Sequence, residues 1–206
     1  MPRRQAEVVK QGLRNTISNG KVVKHISKGH TMQALNTGTP FPQTKLHALG
    51  GDMVTLGQPR DGHTWQLVVI YRGLHCPICK TYLKKLDQLV PDFNAIGVDV
   101  VAASGDTQAK AQAMVDEMEL GLSMGYAMTT DQMGALGLWI SSPRSPQELD
   151  RPFSEPGVFV INEEGRLKMV DISNAPFLRP DLDMVLRGVT ANQVEGYPFR
   201  GTFSTP

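Results

Sequence analysis

Two cysteines separated by two residues lie where an apolar strand gives way to a helix. The 206-residue sequence has no cysteine other than Cys76 and Cys79. The run 66–71 before them is apolar enough for a strand that is covered on both faces. From Pro77 onwards, apolar residues recur every three to four positions, as they do along a helix. Any fold for this chain must therefore place both sulfurs within the first turn of a helix that follows a central strand.

Alternating strand and helix patterns continue along the chain and indicate its fold class. Strands are predicted at 66–71, 98–103, 122–128, 158–161 and 167–172, the third of them from a weak pattern. Helices are predicted from Pro77, with an end or a kink at Pro91, from an N-cap at Asp106 to Met118, around 132–139, and from Pro180 to Gly188. This order predicts an α/β domain with a mixed central β-sheet.

Basic residues are concentrated in the first part of the chain. Residues 1–38 carry seven basic residues and one acidic residue, against 14 basic and 19 acidic residues in the remainder. No aromatic residue lies among these charges to stack on bases, so we predict no nucleic-acid partner. We predict a flexible leader at 1–38, one domain at 39–189 and a tail at 190–206. The sequence lacks both a membrane-spanning run and a secretory signal, which predicts a cytoplasmic protein.

The position of Cys76 favours a negatively charged sulfur. Pro77 suits the first helical position, so Cys76 lies at or beside the N-cap, where free N–H groups lower a thiol pKa. Arg72 and His75 are nearby cations that would add to this effect. We predict that Cys76 is the exposed attacking sulfur and that Cys79 is the shielded sulfur that resolves a mixed disulfide.

Two other interpretations of the cysteine pair remain open at this point. The thiols can be inert and buried, or they can belong to a metal site. Tetrahedral zinc needs four ligands, so two more would have to come from His75, from another histidine or from a carboxylate. Only His25 and His30, in the leader, have the H-x₃₋₅-H spacing. We therefore predict no bound metal and no prosthetic group.

Four stretches of the sequence, in the same order, resemble a known family. They are 39–42, 46–56, 72–79 and 156–162. From about residue 40 to 189 the chain resembles the peroxiredoxin-like AhpC/TSA proteins of the thioredoxin-like superfamily, in the branch that carries C-x-x-C. The resemblance implies a thioredoxin-like sandwich, with helices on both faces of a mixed sheet, and an antioxidant oxidoreductase activity. It also implies a reducing partner such as thioredoxin or glutathione, and it leaves a homodimer open.

The peroxiredoxin motif P-x-x-x-T-x-x-C matches this chain only in part. Laid over the sequence without gaps, its peroxide-attacking cysteine falls on Cys79, its threonine on Cys76 and its proline on Arg72. The family's activating arginine falls on Pro156, and Arg151 is a candidate to replace it. Each lost donor can be worth a factor of about 10² in rate. Thiol peroxidase activity with Cys79 attacking is therefore the alternative function.

Pro156 instead resembles the cis-proline that faces the C-x-x-C of thioredoxin-like oxidoreductases and binds the substrate peptide. Strand 66–71 lacks the buried carboxylate that relays protons in those enzymes, which leaves His75, Glu155 or a water for this role. The sequence thus predicts a thiol–disulfide oxidoreductase that uses Cys76 and Cys79. The second alternative, after the peroxidase, is a thioredoxin-like module that binds a metal or a protein without turnover.

Overall fold

The computed structural model describes residues 15–18, 21–24, 35–146 and 148–203, and it describes the first two ranges by their backbone only. The chain divides into two compact units, residues 1–31 and 32–206. In the first unit, strand β1 (Asn15–Ser18) pairs antiparallel with β2 (Lys21–Lys24), a hairpin that the sequence did not predict. Most of the predicted leader lies outside the described residues.

Seven strands of the second unit form one sheet, and all five predicted strands belong to it. They are β3 (Thr44–Ala48), β4 (Met53–Leu56), β5 (Trp65–Ile70), β6 (Val98–Ala103), β7 (Ser123–Tyr126), β10 (Gly157–Ile161) and β11 (Leu167–Ile172). Two short strands between β7 and β10, β8 (Ile140–Ser141) and β9 (Phe153–Ser154), pair with each other. The order across the sheet is β11-β10-β5-β6-β7-β3-β4. Strands β5, β6 and β7 are parallel and the other pairs are antiparallel, so the predicted mixed sheet is confirmed.

Helices cover both faces of this sheet. They are α1 (Pro77–Ala95), α2 (Gln108–Met118), α3 (Thr130–Ala135) and α4 (Leu182–Asn192). Because side chains alternate along a strand, Leu67 and Val69 of β5 pack in the core with α1, α2 and α4. Val68 and Ile70 face the other way and pack with α3. This arrangement confirms the predicted thioredoxin-like sandwich, and no helix among the described residues is long and apolar enough to cross a bilayer.

Helix α1 continues past Pro91, where an end or a kink was predicted, and α4 continues past Gly188, which was predicted to end it. Helix α1 runs through Pro91, which removes one helical hydrogen bond, because the following turn buries Phe93 completely in the core. Helix α4 runs through Gly188 and buries Val189 one position later. A Cβ at Gly188 would lie 3.2 Å from the terminal methyl of Met169, so this glycine serves close packing rather than helix termination.

The chain after α4 packs against the hairpin of β10 and β11. The Lys168 ammonium donates to the carbonyl of Tyr197 at 2.7 Å and lies 4.5 Å from the ring centre of Phe199. The Arg166 guanidinium lies over the same Phe199 ring at 4.8 Å. Tyr197 and Phe199 are therefore held against the hairpin by cation–π and hydrogen-bond contacts, while the domain boundaries themselves stay a prediction.

The segments that form the candidate site lie at one edge of the sheet, which is formed by the carboxyl ends of β5 and β6. The parallel strands β5 and β6 end at this edge, and residues 71–79 and 104–106 follow them. Gly157, the first residue of β10, pairs with the last residues of both β5 and β11, so the chain before β10 and after β11 lies at the same edge.

Candidate active site

Both cysteines lie in the first turn of α1, directly after the chain leaves β5. Cys76 is the N-cap, with extended backbone angles (φ −102°, ψ 105°), and Pro77 occupies the first helical turn as predicted. The backbone N–H of Cys79 donates to the Cys76 Sγ at 3.3 Å. The sulfur thus takes the place that a serine or aspartate oxygen takes at an ordinary N-cap, and both thiols are free.

The two thiols differ in their tendency to ionise. Hydrogen bonding with the Cys79 thiol is the largest cause that lowers the pKa of Cys76, to about 6; the Cys79 N–H, Arg72 and the Arg179 charge act in the same direction, against burial. Burial and the neighbouring Cys76 raise the pKa of Cys79 far above its ordinary value. Of the two thiols, Cys76 is therefore the one that ionises more readily.

Cys76 is more enclosed than the sequence suggested. Its exposed fraction is 2%, and Cys79 is fully buried, so the prediction of an exposed attacking sulfur is wrong. Both side chains belong to the core on the α1 face because the residues between β5 and α1 pack down onto it, with Tyr71 fully buried and Leu74 half-buried. The side chains of Arg72 and Arg179 lie close to the sulfurs, so the pair is not enclosed by apolar groups alone.

A buried carboxylate holds Arg72 beside Cys76. The Nε of Arg72 lies 3.1 Å from the Oε2 of Glu155, which is only 4% exposed. The hydroxyl of Ser141 donates to the other Glu155 oxygen at 2.7 Å, and the guanidinium lies 4.8 Å from the ring centre of Phe153. Because a buried charge requires a partner, this ion pair keeps Arg72 in place at the site.

His75 is not the cation that the sequence predicted. Its half-buried ring meets the Phe153 ring edge-on, with 4.8 Å between ring centres. Desolvation and the positive charge of Arg72 lower the pKa of His75, and neither ring nitrogen has a hydrogen-bond partner among the described residues. Both effects favour the uncharged form of His75 and so weaken it as a cation that could stabilise a thiolate.

Pro156 does not have the geometry that was predicted for it. The peptide bond between Glu155 and Pro156 is trans. The Glu155 N–H donates to the Trp139 carbonyl at 2.8 Å, and the Pro156 carbonyl accepts the N–H of Ser173 at 3.0 Å. These two hydrogen bonds hold the link between β9 and β10 on both of its sides. Glu155, the neighbouring residue, contacts the site through Arg72 instead.

Arg179 is the functional candidate that the sequence analysis missed. Its Nη2 donates to the Cys79 Sγ at 2.9 Å, and its guanidinium lies 4.9 Å from the ring centre of Tyr82. Arg151, the predicted replacement for the family's arginine, pairs instead with the aspartate that precedes it. No motif marks Arg179 in the sequence, because 100 positions separate it from the cysteine and only the end of β11 brings them together.

Asp106 is buried behind the site and does not cap α2, contrary to the prediction from the sequence. Thr107 caps α2 in its place, and Asp106 accepts the N–H of Leu74 at 2.7 Å. The carboxyl is 2% exposed, and burial is the main cause that raises the pKa of Asp106. Gly73 crosses directly over it with φ +140°, and a Cβ there would lie 2.7 Å from the Asp106 Oδ1. Glycine is therefore required where the loop passes this carboxyl.

The described residues give no support to a metal site at the cysteines. Within 35–146 and 148–203, no group of three or more histidine, cysteine, aspartate or glutamate side chains is arranged to hold an ion.

Comparison with known proteins agrees with this architecture. Residues 37–170 match the profile of the AhpC/TSA family. Alkyl hydroperoxide reductase C of Escherichia coli (strain K12) is 22% identical over 148 residues, which are 72% of this chain and 77% of that protein. A peroxiredoxin-like protein from Aquifex aeolicus has a similar fold (TM-score 0.65, 18% identity, 88% of this chain and 99% of that chain). So does a Plasmodium vivax 2-Cys peroxiredoxin (TM-score 0.63, 17% identity, 76% and 81%). Because the matched region covers well over half of the sequence and includes both cysteines, the chain belongs to the AhpC/TSA family and is a peroxiredoxin-like oxidoreductase.

Proposed function

We propose that the protein is a thiol–disulfide oxidoreductase in which Cys76 and Cys79 form the redox pair. The observation that carries this proposal is the position of both sulfurs in the first turn of α1, with Cys76 at the N-cap. In agreement with it, the pKa of Cys76 is lowered and that of Cys79 is raised. At neutral pH such a pair has one sulfur ready to attack and one that stays protonated until it is needed. The N–H of Cys79, donated to the Cys76 sulfur at 3.3 Å, supports this polarity.

In the proposed reaction the Cys76 thiolate attacks one sulfur of a substrate disulfide. The substrate S–S bond breaks, one of its sulfurs is joined to Cys76, and the other leaves as a thiolate that takes up a proton. Cys79 then loses its proton and attacks the Cys76 sulfur, which releases the second substrate thiol and leaves the Cys76–Cys79 disulfide. A thiol donor such as thioredoxin or glutathione restores the pair with two electrons, and no cofactor is needed.

The narrow access to Cys76 favours a substrate whose reacting part is slender. With 2% of Cys76 exposed, a small-molecule disulfide or a disulfide in a protruding protein loop fits better than a flat protein surface. A groove of about 500 Å³ beside α1 is lined by Ile78, Tyr82, Phe177 and Arg179. We propose that substrate binds along this groove and past the exposed Pro77. A cytoplasmic location and assembly as a homodimer stay predictions.

A thiol peroxidase is the second candidate, and the position of Arg179 favours it. An arginine lies 2.9 Å from the sulfur of Cys79, which aligns with the attacking cysteine of peroxiredoxins. In this reaction the Cys79 thiolate attacks a peroxide oxygen, the O–O bond breaks, and water or an alcohol leaves. The resulting Cys79 sulfenic acid condenses with the Cys76 thiol to give the disulfide and water. The raised pKa of Cys79 opposes this route.

Stopped-flow oxidation separates the two functions. Reduced parent protein and the Cys76→Ser and Cys79→Ser variants are mixed with hydrogen peroxide, and sulfenic acid is trapped with dimedone and located by mass spectrometry. We expect oxidation of the parent no faster than that of a free thiol of similar pKa, together with ready reduction of insulin disulfides. Rapid formation of sulfenic acid on Cys79 in Cys76→Ser, without disulfide reductase activity in the parent, would instead establish the peroxidase.

Alkylation as a function of pH measures the polarity of the pair directly. We expect iodoacetamide to modify Cys76 with a midpoint near pH 6 while Cys79 stays unmodified through neutral pH. In Cys79→Ala the midpoint should move upwards, because the hydrogen bond that lowers the Cys76 pKa most is lost. Peptide mass spectrometry after timed alkylation gives both midpoints. Unfolded protein is the control, with both thiols near pH 8.5; equal midpoints in the folded protein would contradict the proposed polarity.

A further inference from the structure

The groove beside α1 begins next to the cysteine pair. It has a volume of about 500 Å³, and Ile78, two positions after Cys76, lines the end nearest the pair. Ile78, Tyr82 and Lys85 recur at helical spacing, so they line the groove from the same side of α1. From the first to the last of them the helix rises by about 10 Å. The groove therefore leads away from the redox pair along α1.

The walls of the groove are mostly apolar, and two of the apolar side chains are exposed. Ile78 is 37% and Phe177 is 78% exposed, and Pro176, Pro180 and Leu182 complete the apolar lining. Large apolar side chains that meet water in a concave surface are typical of a binding site. The volume of the groove falls within the range of small-molecule sites, about 300–1,000 Å³. A small ligand with an apolar part therefore fits this groove.

The charged side chains of the lining already have partners. The Nζ of Lys85 lies 3.2 Å from Asp183, and the Oδ1 of Asp181 accepts a backbone N–H as the N-cap of α4. Arg179 donates to the Cys79 sulfur at 2.9 Å. A charged group of a ligand would lose hydration in the groove without gaining a free ion partner there. The groove therefore favours a ligand whose apolar part carries no charge.

We infer that the groove selects the substrate of the proposed thiol–disulfide reaction, and that this substrate is a small disulfide with an uncharged apolar arm. The inference rests on the proposed function and adds the class of its substrate, with Ile78 and Phe177 as the residues that determine specificity. The 2% exposure of Cys76 agrees with it, because a slender disulfide at the end of an arm can reach a sulfur that a broad surface cannot.

The two steps of the reaction treat the two halves of such a disulfide differently. The sulfur that joins Cys76 carries the arm that lies in the groove, and the other half leaves as a thiolate that takes up a proton. Attack by Cys79 on the Cys76 sulfur then releases the bound arm as a second thiol. The substrate disulfide gains two electrons and the protein pair loses them, so no further reactant is needed.

Three symmetric disulfides separate the effect of arm length from that of charge. Reduced protein is mixed with an excess of bis(2-hydroxyethyl) disulfide, bis(6-hydroxyhexyl) disulfide or 6,6′-dithiodihexanoate. Quenched alkylation and mass spectrometry then follow the loss of free Cys76 and Cys79. Each rate constant is divided by that of dithiothreitol with the same disulfide, which removes differences in intrinsic reactivity.

We expect the hydroxyhexyl disulfide to have a normalised rate constant about 10- to 100-fold above that of the hydroxyethyl disulfide, because each buried methylene contributes a factor of about four. The dithiodihexanoate has an arm of the same length that ends in a carboxylate, and it should react at least about threefold more slowly than the hydroxyhexyl disulfide. Equal constants for long and short arms, or a carboxylate arm that reacts as fast as the uncharged one or faster, overturn the inference and leave the proposed function standing.

Ile78→Ala and Phe177→Ala test whether the groove is the source of this preference. Each variant should lower the ratio of the hydroxyhexyl to the hydroxyethyl constant by about three- to tenfold, because apolar contact with the arm is lost. The fold should be retained, since both side chains are exposed. Phe203→Ala is the matched control: Phe203 is 89% exposed and does not line the groove, so this variant should keep the parent ratio.

A length preference that survives both groove variants overturns the groove as its source. A parent protein that forms no disulfide between Cys76 and Cys79 with any of the three reagents contradicts the proposed function, and the inference with it.

Discussion

Replacement of Cys76 by serine is expected to lower the rate of insulin-disulfide reduction at least about a thousandfold, as loss of an attacking side chain commonly does. The hydroxyl of serine does not ionise at neutral pH, whereas the Cys76 sulfur receives the N–H of Cys79 and lies beside Arg72. The fold should be retained, because serine is one of the preferred residues at an N-cap. The measurement is the turbidity of the precipitating reduced insulin chain, with dithiothreitol as the electron donor.

Cys79→Ser is the matched variant for this experiment, since it keeps the attacking sulfur and removes the resolving one. It should react once and then stop, so that a small disulfide remains attached to Cys76. Intact-mass spectrometry after addition of oxidised glutathione would show one adduct on this variant and none on Cys76→Ser. Undiminished insulin reduction by Cys76→Ser would rule out Cys76 as the attacking sulfur.

Alanine at Gly73 is expected to lower the free energy of unfolding by about 3 kcal/mol, the sum of backbone strain and overpacking. The backbone at Gly73 has φ +140°, and the added Cβ would meet the Oδ1 of Asp106 at 2.7 Å. Neither side can give way easily, because Asp106 is held by the N–H of Leu74 and the Gly73 carbonyl accepts the N–H of Cys76. Urea denaturation followed by circular dichroism gives the loss.

Gly62→Ala separates the two contributions to this loss. Gly62 is exposed, has φ +88°, and has no heavy atom within 4 Å of the position that a Cβ would take. Alanine there should cost only the strain of a positive φ, about 1–2 kcal/mol. If both variants lose the same free energy, the contact between Gly73 and the Asp106 carboxyl contributes nothing.

The parts of the fold that depend on local sequence could be predicted. Strand β5 was recognisable because its two faces are both buried, which produces an uninterrupted apolar run. The N-cap position of Cys76 was recognisable because proline is favoured in the first turn of a helix, where its missing N–H costs no hydrogen bond. Both features are properties of neighbouring residues, so no knowledge of distant contacts was needed to find them.

The parts of the site that depend on distant contacts could not be predicted. Arg179 reaches Cys79 across 100 positions, and a single arginine in a loop has no periodic pattern that would mark it. The lowered pKa of His75 follows from its burial and its closeness to Arg72, which appear only in the folded chain. Asp106 and Thr107 are both good N-cap residues, and burial of the first one decided between them.

Residues 174–178, which follow β11 at the shared edge where β5, β6 and β11 end, can vary without a change in the core. The apolar clusters lie on the two faces of the sheet, whereas residues 174–178 form an exposed or half-buried connection beyond the end of β11. Sequence changes in this connection alter the groove wall without removing a core side chain. Libraries randomised over 174–178 should therefore yield folded enzymes with altered substrate range, while α1 and its pair of sulfurs stay as they are.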